Sequence, residues 1–493
     1  NFNLLDLADI YKIINISNIY GINSFTIDSH FKDLDKIINE FNKFNKVIFT
    51  KNNVDLYDYF KSITSGSSGI IASSLNDLNS ALSKFNKLGN TKEQFLASHR
   101  GVVTSGINEN SLSSIRLADT LNSTYVEIDL QITKDHEIVI CHNNELNVTT
   151  DCKDNSKITQ STLSKVKSFN LIDNETSVNE KIPTLKEVFS EFKDSDLIFI
   201  LEFKFDGGFA TYPLDVAKYV NEIVKEYDME DKVIGITFFK GYYDSINKYM
   251  PYMMTMYLGA PNGENEFSNL SDLEKSLKFF KKYNTSLDLG YSPDLKNHYF
   301  NMISRGYFLN SYTFNDPSSL KEPLNIATTD DYYDSSNLIK SIRSDKDFYV
   351  INSLDELESN LVAGATKYNG EVLSNFKDYG IIYLEGNEFS STLTLSLYYY
   401  DETNDYGLYS DVFKVNLLDN GGNKENNYKE IVGEDDVYFN LDNYEETITS
   451  LKAPSNDKLE IILLATLIPL GILLIGSTIF IIIKNIHKLR NKT

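Results

Sequence analysis

Four short patterns in this 493-residue chain hold residues that could do chemistry together. His99-Arg100-Gly101 closes an apolar run and is followed by Glu109-Asn110-Ser111; after it come Glu127-x-Asp129, His142 and Glu202-x-Lys204. Each of the four stands at the end of a candidate β-strand, and period-two geometry turns Glu127 and Asp129 to one face. Brought to one place they assemble three carboxylates, two imidazoles, a guanidinium and an ammonium. Charge at that density cannot be buried uncompensated. A divalent cation resolves the conflict: three carboxylates without a thiolate make a hard oxygen site suited to Mg²⁺ or Ca²⁺. Arg100 and Lys204 then imply an anionic substrate, with phosphate the first candidate.

Positioning these residues falls to an alternating α/β region, residues 95–340. Its candidate strands are FLASH, TYVEIDL, EIVICH, DLIFILEFK, KVIGITFF, YMMTMYL, SLDLGY, GYFLNSYT and LNIATT. Helical stretches such as NSLSSIRLADTL and PLDVAKYVNEIVKEY lie between several of them. This alternation predicts an α/β fold with a closed (β/α)8 TIM barrel, so one of the nine candidates is expected to be a loop. In such a barrel the C-terminal strand ends converge on one mouth, where active sites are built.

In order and spacing, HRG…ENS, EID…TKD…ICH, IPTL and EFK resemble the glycerophosphodiester phosphodiesterase family of TIM-barrel enzymes. YTFND (312–316) and IATTDDY (326–332) resemble that family's closing strands, and the resemblance covers residues 95 to about 335. It implies Glu127, Asp129 and Glu202 as metal ligands, His99 and His142 as the general acid–base pair, and Arg100 and Lys204 as phosphate-binding residues. The implied activity is metal-dependent hydrolysis of a glycerophosphodiester to glycerol 3-phosphate and an alcohol. One departure is Asn143, where the family has Asp after the second His; Asn keeps a hydrogen bond there and loses the charge. Residues 145–180 resemble the family's insertion over the barrel mouth. Two alternatives remain at this level: a phospholipid-cleaving relative of the phospholipase-C or sphingomyelinase-D kind, and a degenerate barrel serving as a surface-binding module.

The rest of the chain sets the context. A formal net charge of −23, from 47 basic and 70 acidic residues, argues against nucleic acid as a partner. Two cysteines exclude a disulfide scaffold, and Cys141 and Cys152 are expected to be free buried thiols. Residues 461–483 form an apolar run without charge, long enough at about 1.5 Å per residue to cross a bilayer core as a transmembrane helix. Lys484, Lys488, Arg490 and Lys492 make residues 484–493 the expected cytoplasmic tail and place the catalytic region outside the membrane. Residue 1 is Asn and no signal-like apolar segment follows it, so the chain is expected to be processed or to begin partway along its gene product. Residues 345–450 change to strict alternation, as in TLTLSLYYY, and predict a small antiparallel β domain near the membrane. Residues 1–90 read as a partial α/β region. Val47–Asn52 resembles Ser311–Asn315, and Ile71–Ser74 resembles Ile326–Thr329, as if this were the end of a second, degenerate barrel that must lean on the first.

Overall fold

The computed structural model describes residues 7–418 apart from 174–175, 178, 205–214, 260–269, 291–301, 316–319, 321–323 and 387–389. The apolar run 461–483, the tail 484–493 and the last third of 345–450 lie outside the described residues. Among the described residues no helix is long and apolar enough to cross a membrane.

The first 90 residues contain a parallel three-stranded sheet, β1 (Ser24–Asp28), β2 (Val47–Asn53) and β3 (Gly69–Ala72), joined by helices. The barrel follows as β4 (Phe95–Ser98), β5 (Tyr125–Ile132), β9 (Ile198–Phe203), β10 (Val233–Thr237), β11 (Met254–Gly259), β12 (Thr285–Gly290), β13 (Leu309–Tyr312) and β14 (Ile326–Thr329). All eight run parallel in that order, and pairing of β4 with both β5 and β14 closes the ring. Every residue of β5 and β9 is buried, because the barrel interior covers one face and the helices the other. A carboxylate in such a strand has nowhere to go but inward.

The ninth candidate strand is neither a loop nor a member of the ring. EIVICH forms β6 (Ile138–Ile140), which lies antiparallel on β5 with Leu130 opposite Ile140. The cause is length: β4 pairs with β5 only as far as Val126, and the edge of β5 beyond it, at Leu130–Ile132, needs a partner for its backbone. Between β6 and β9 a short hairpin, β7 (Ile172–Asp173) and β8 (Thr176–Ser177), belongs to the segment 145–180.

The barrel has two differently used ends. Side chains of its N-terminal end, among them Phe95, Tyr125, Ile200, Met256 and Ile326, share one apolar core with Ile38, Phe41, Phe44 and Ile48 of the first 90 residues. Hydrogen bonds pin the seam: Tyr125 Oη donates to Lys43 O at 2.9 Å, and Asn45 Nδ2 to Ser286 Oγ at 2.8 Å. Asn325 Nδ2 lies 2.8 Å from Asn42 O and 2.7 Å from Asn45 Oδ1. The N-terminal segment therefore stoppers one mouth, leaving the other for chemistry.

Beyond the barrel are a three-stranded antiparallel sheet, β15 (Ile339–Ser344), β17 (Ala363–Lys367) and β18 (Val372–Phe376), and a second sheet. The second contains β16 (Phe348–Ile351), β19 (Gly380–Glu385), β20 (Thr392–Asp401), β21 (Tyr406–Tyr409) and β22 (Phe413–Leu417). TLTLSLYYY is its central strand β20, with Leu393, Leu395 and Leu397 fully buried on one face. The expected all-antiparallel arrangement is not complete. β16 pairs parallel with β22, because the chain crosses to β17 and β18 before returning to β16's edge.

Candidate active site

The turn after β4 begins the site. Arg100 and Gly101 both adopt left-handed backbone, with φ of 58° and 81°. A Cβ on Gly101 would run into the side chain and backbone of Ser114, so only glycine fits. Ser111 caps the helix Leu112–Thr120 in a reciprocal box with Ser114, and Ser114 Oγ also donates to Arg100 O at 3.1 Å. This lashing directs the Arg100 amide to Glu127 Oε2, 3.0 Å away. The Arg100 guanidinium reaches Glu109 Oε2 at 2.8 Å and Asp129 Oδ2 at 3.4 Å.

On β5 and β9, Asp129 stands directly opposite Glu202 in the parallel register. Glu127, Asp129 and Glu202 each bring a carboxylate oxygen to within 4.8 Å of the others, and all three are buried. Lys204 Nζ lies 2.9 Å from Glu202 Oε1 and 3.4 Å from Asp129 Oδ1. Asn110 clasps Asp129: Nδ2 donates to Oδ2 at 2.8 Å, and Oδ1 accepts from the Asp129 amide at 3.0 Å. Glu127 Oε1 is buried without a hydrogen-bond donor among the described residues, and Asp129 Oδ1, also buried, has the Lys204 ammonium near it at 3.4 Å but no hydrogen bond. Such atoms call for a ligand.

The titration behaviour says the same. Burial, then the charges of Asp129 and Glu202, hold Glu127 well above the ordinary carboxylate range. Burial and Asp129 push Glu202 up to about 7, against the pull of Lys204. Burial also acts to raise Asp129, but Lys204, His142 and Arg100 outweigh it and hold that carboxyl low. Two like-charged acids forced toward neutrality are what a bound cation would return to the anionic form. Three oxygen donors of this kind fit Mg²⁺ or Ca²⁺.

The two histidines flank this trio from different walls. His99 follows β4; its Nδ1 hydrogen-bonds Asp330 at the end of β14, and its Nε2 is 3.9 Å from Glu127 Oε2. His142 enters from β6 rather than from a barrel strand, where Gln131 Nε2 holds its carbonyl at 3.1 Å. Its ring Nδ1 lies 3.3 Å from Asn143 Oδ1, and burial lowers its pKa. Six of the residues singled out in the sequence, His99, Arg100, Glu127, Asp129, Glu202 and Lys204, are thus linked by contacts of 4.8 Å or less, and the seventh, His142, acts on the charge of Asp129.

Sequence reading missed three further members. Asp330 had a usable signal, an acid after a strand in IATTDDY, yet its partner is 231 positions away. Asn110 stood inside a motif already noted, without a role. Asp288, a lone acid between Leu287 and Leu289, is buried inside β12. Cys141 and Cys152 are free and buried, as expected, and burial pushes the Cys141 thiol up to about 12.

The chain is similar to known proteins. The model of the glycerophosphoryl diester phosphodiesterase family matches residues 99–333. A glycerophosphodiester phosphodiesterase of Caldanaerobacter subterraneus is 30% identical over 142 residues, 28% of this chain and 56% of that protein. The chain thus spans about half the length of the curated relative it matches. Among solved structures, a glycerophosphodiester phosphodiesterase of Thermotoga maritima is 23% identical, with a TM-score of 0.37 over 48% of this chain and 94% of that one. A phosphodiesterase of Oleispira antarctica, in complex with the product sn-glycerol-3-phosphate, is 21% identical, with a TM-score of 0.41 over 48% and 93%. The matched residues 99–333 contain the clustered carboxylates and histidines, so it is through this barrel that the chain is similar to the glycerophosphoryl diester phosphodiesterase family.

Proposed function

We propose that this protein is a divalent-cation-dependent phosphoric diester hydrolase that cleaves glycerophosphodiesters to glycerol 3-phosphate and an alcohol. The observation that carries the reading is the buried trio Glu127, Asp129 and Glu202, whose carboxylate oxygens lie within 4.8 Å of one another and include Glu127 Oε1 without a hydrogen-bond partner. Glu127, Asp129 and Glu202 would hold Mg²⁺ or Ca²⁺, which supplies charge neutralisation at the phosphoryl oxygens when bound. Arg100 and Lys204 orient the phosphate, their charges already fixed by the carboxylates beside them. One imidazole takes the proton of the attacking hydroxyl or water, and the other gives a proton to the leaving alcohol. Asp330 fixes the His99 tautomer and supports the imidazolium when that ring carries two protons. Asn143 gives His142 a hydrogen bond without that electrostatic support.

Two observations support membrane attachment with the barrel on the extracytoplasmic side: the charge-free run 461–483 and the basic residues after it. In this reading residues 1–90 add no catalytic group and serve the barrel as its stopper.

The test is release of glycerol 3-phosphate from a glycerophosphodiester with and without chelator. Release that stops in EDTA and returns with Mg²⁺ or Ca²⁺ is expected. Undiminished turnover in excess EDTA would sink the cation assignment.

A further inference from the structure

Asp288 has no role in the chemistry above, and its surroundings ask for one. Leu287 and Leu289 pack outward among the helices, which places Asp288 on the inner face of β12 together with Ser286. In the ring β12 is the fourth strand from β5, so Asp288 stands on the wall across from Glu127 and Asp129. Its carboxyl is only 2% exposed, and Oδ1 has no hydrogen-bond donor among the described residues. Of the polar groups around it, Asn310 and Tyr312 are engaged elsewhere. Asn310, its register partner on β13, donates to Leu287 O at 2.9 Å and accepts from the Ile326 amide at 3.2 Å. Tyr312 Oη donates to Gly259 O at 2.7 Å, and the Ser286 hydroxyl accepts from Asn45 below. The other register partner, Leu258, is apolar.

A buried carboxyl with an unused oxygen costs stability unless something binds it. Resting on the diesterase reading above, we propose that Asp288 is a specificity-determining residue that hydrogen-bonds the terminal hydroxyl of the substrate's polyol arm. The phosphate is held on the β4–β5–β9 side of the mouth by Arg100 and Lys204, and an arm leaving it toward the opposite wall meets Asp288. A hydroxyl suits the position better than a second anion or a cation. Burial and the charge of Glu202 hold Asp288 above the ordinary carboxylate range, a direction that favours a neutral partner such as a hydroxyl over an ion. A site built to pair a substrate hydroxyl discriminates strongly against the analogue lacking it.

The experiment compares kcat/KM of the full chain, with Mg²⁺ present, on sn-glycero-3-phosphocholine and on 2-hydroxypropyl phosphocholine, the same diester with the hydroxyl beside the phosphate kept and the terminal one removed. Wild type should prefer the glyceryl diester by about tenfold or more. Asp288→Leu should lower that ratio at least tenfold, the loss falling mainly in KM for the glyceryl substrate. Asp288→Asn keeps the volume and one donor, so it should fold in any case and lower the ratio by a smaller factor. A ratio unchanged in Asp288→Asn and in any folded Asp288→Leu, whatever the absolute rates, overturns the proposal, because a merely structural residue lowers both substrates together. Wild type that cleaves both equally well overturns it while leaving the diesterase reading intact. Wild type that cleaves neither removes the diesterase reading and this proposal with it.

Discussion

Asn110 holds Asp129 by both ends of its amide, through Asp129 Oδ2 and the Asp129 backbone N–H. This clasp leaves Asp129 Oδ1 aimed into the site. Asn110→Ala should therefore weaken Mg²⁺ or Ca²⁺ binding by about 10–100-fold, the usual scale for a residue supporting a ligand from behind. Titration calorimetry of the full chain measures it; unchanged affinity would mean the clasp is incidental.

Removing a ligand should do more. Glu127→Gln, Asp129→Asn and Glu202→Gln are each expected to abolish hydrolysis and to erase the rise in melting temperature on adding cation. A variant that keeps the thermal rise but loses turnover would show that its carboxylate serves the chemistry and not the ion.

Without cation, Glu202 should also leave a pH signature. Its pKa rises from 4.5 to about 7 on folding, so the stability it contributes is present below 4.5 and lost as pH climbs through 7. Glu127 has the same sign. His142 runs oppositely: its lowered pKa gives stability above its ordinary 6.5 that is lost as pH falls. Comparing wild type with Glu202→Gln in EDTA removes the His142 contribution. The variant should gain melting temperature relative to wild type between pH 4.5 and 8; a constant difference contradicts the burial argument.

The imidazoles are expected to be separable by their supports. His99→Ala and His142→Ala should each lose at least about a hundredfold in kcat. Asp330→Asn should lose less, because it loosens His99 without removing it. Turnover unchanged in that variant would show that the contact does not position the ring. Asn143→Asp, which restores charge beside His142, is expected to preserve or raise activity.

Much of this site was legible because catalytic residues in a parallel barrel sit at strand ends. Glu127-x-Asp129 inside an apolar run reads as an inward pair from period two alone. What failed to show was pairing across distance and direction. EIVICH has the composition of a barrel strand, and only the extra length of β5 turns it antiparallel. Asp330 meets His99 because the ring closes β14 on β4, a fact of topology with no local trace. Asp288 was passed over since a single acid in SLDLGY carries no motif. The parallel pairing of β16 with β22 was hidden for the same reason: alternation reports which face is buried and not which neighbour runs alongside.

Truncating the stopper should cost the whole barrel. Phe44 is 3% exposed in the core shared with Tyr125 and Met256. Phe44→Ala should lower stability by about 3–5 kcal/mol and lower the melting temperature of the catalytic region with it. Loss confined to the first 90 residues, with barrel melting unaffected, would separate two cores that the structure joins.

The same seam imposes a schedule on synthesis. Asn42 meets Asn325 across 283 positions of chain. At about 5–20 residues per second, the ribosome needs roughly 15–60 s to deliver the second after the first. During that interval Ile38, Phe41 and Phe44 have no complete barrel to cover them. Of the two sides of the seam, the one made earlier must wait for the later one, so its apolar face stays uncovered until β14 arrives.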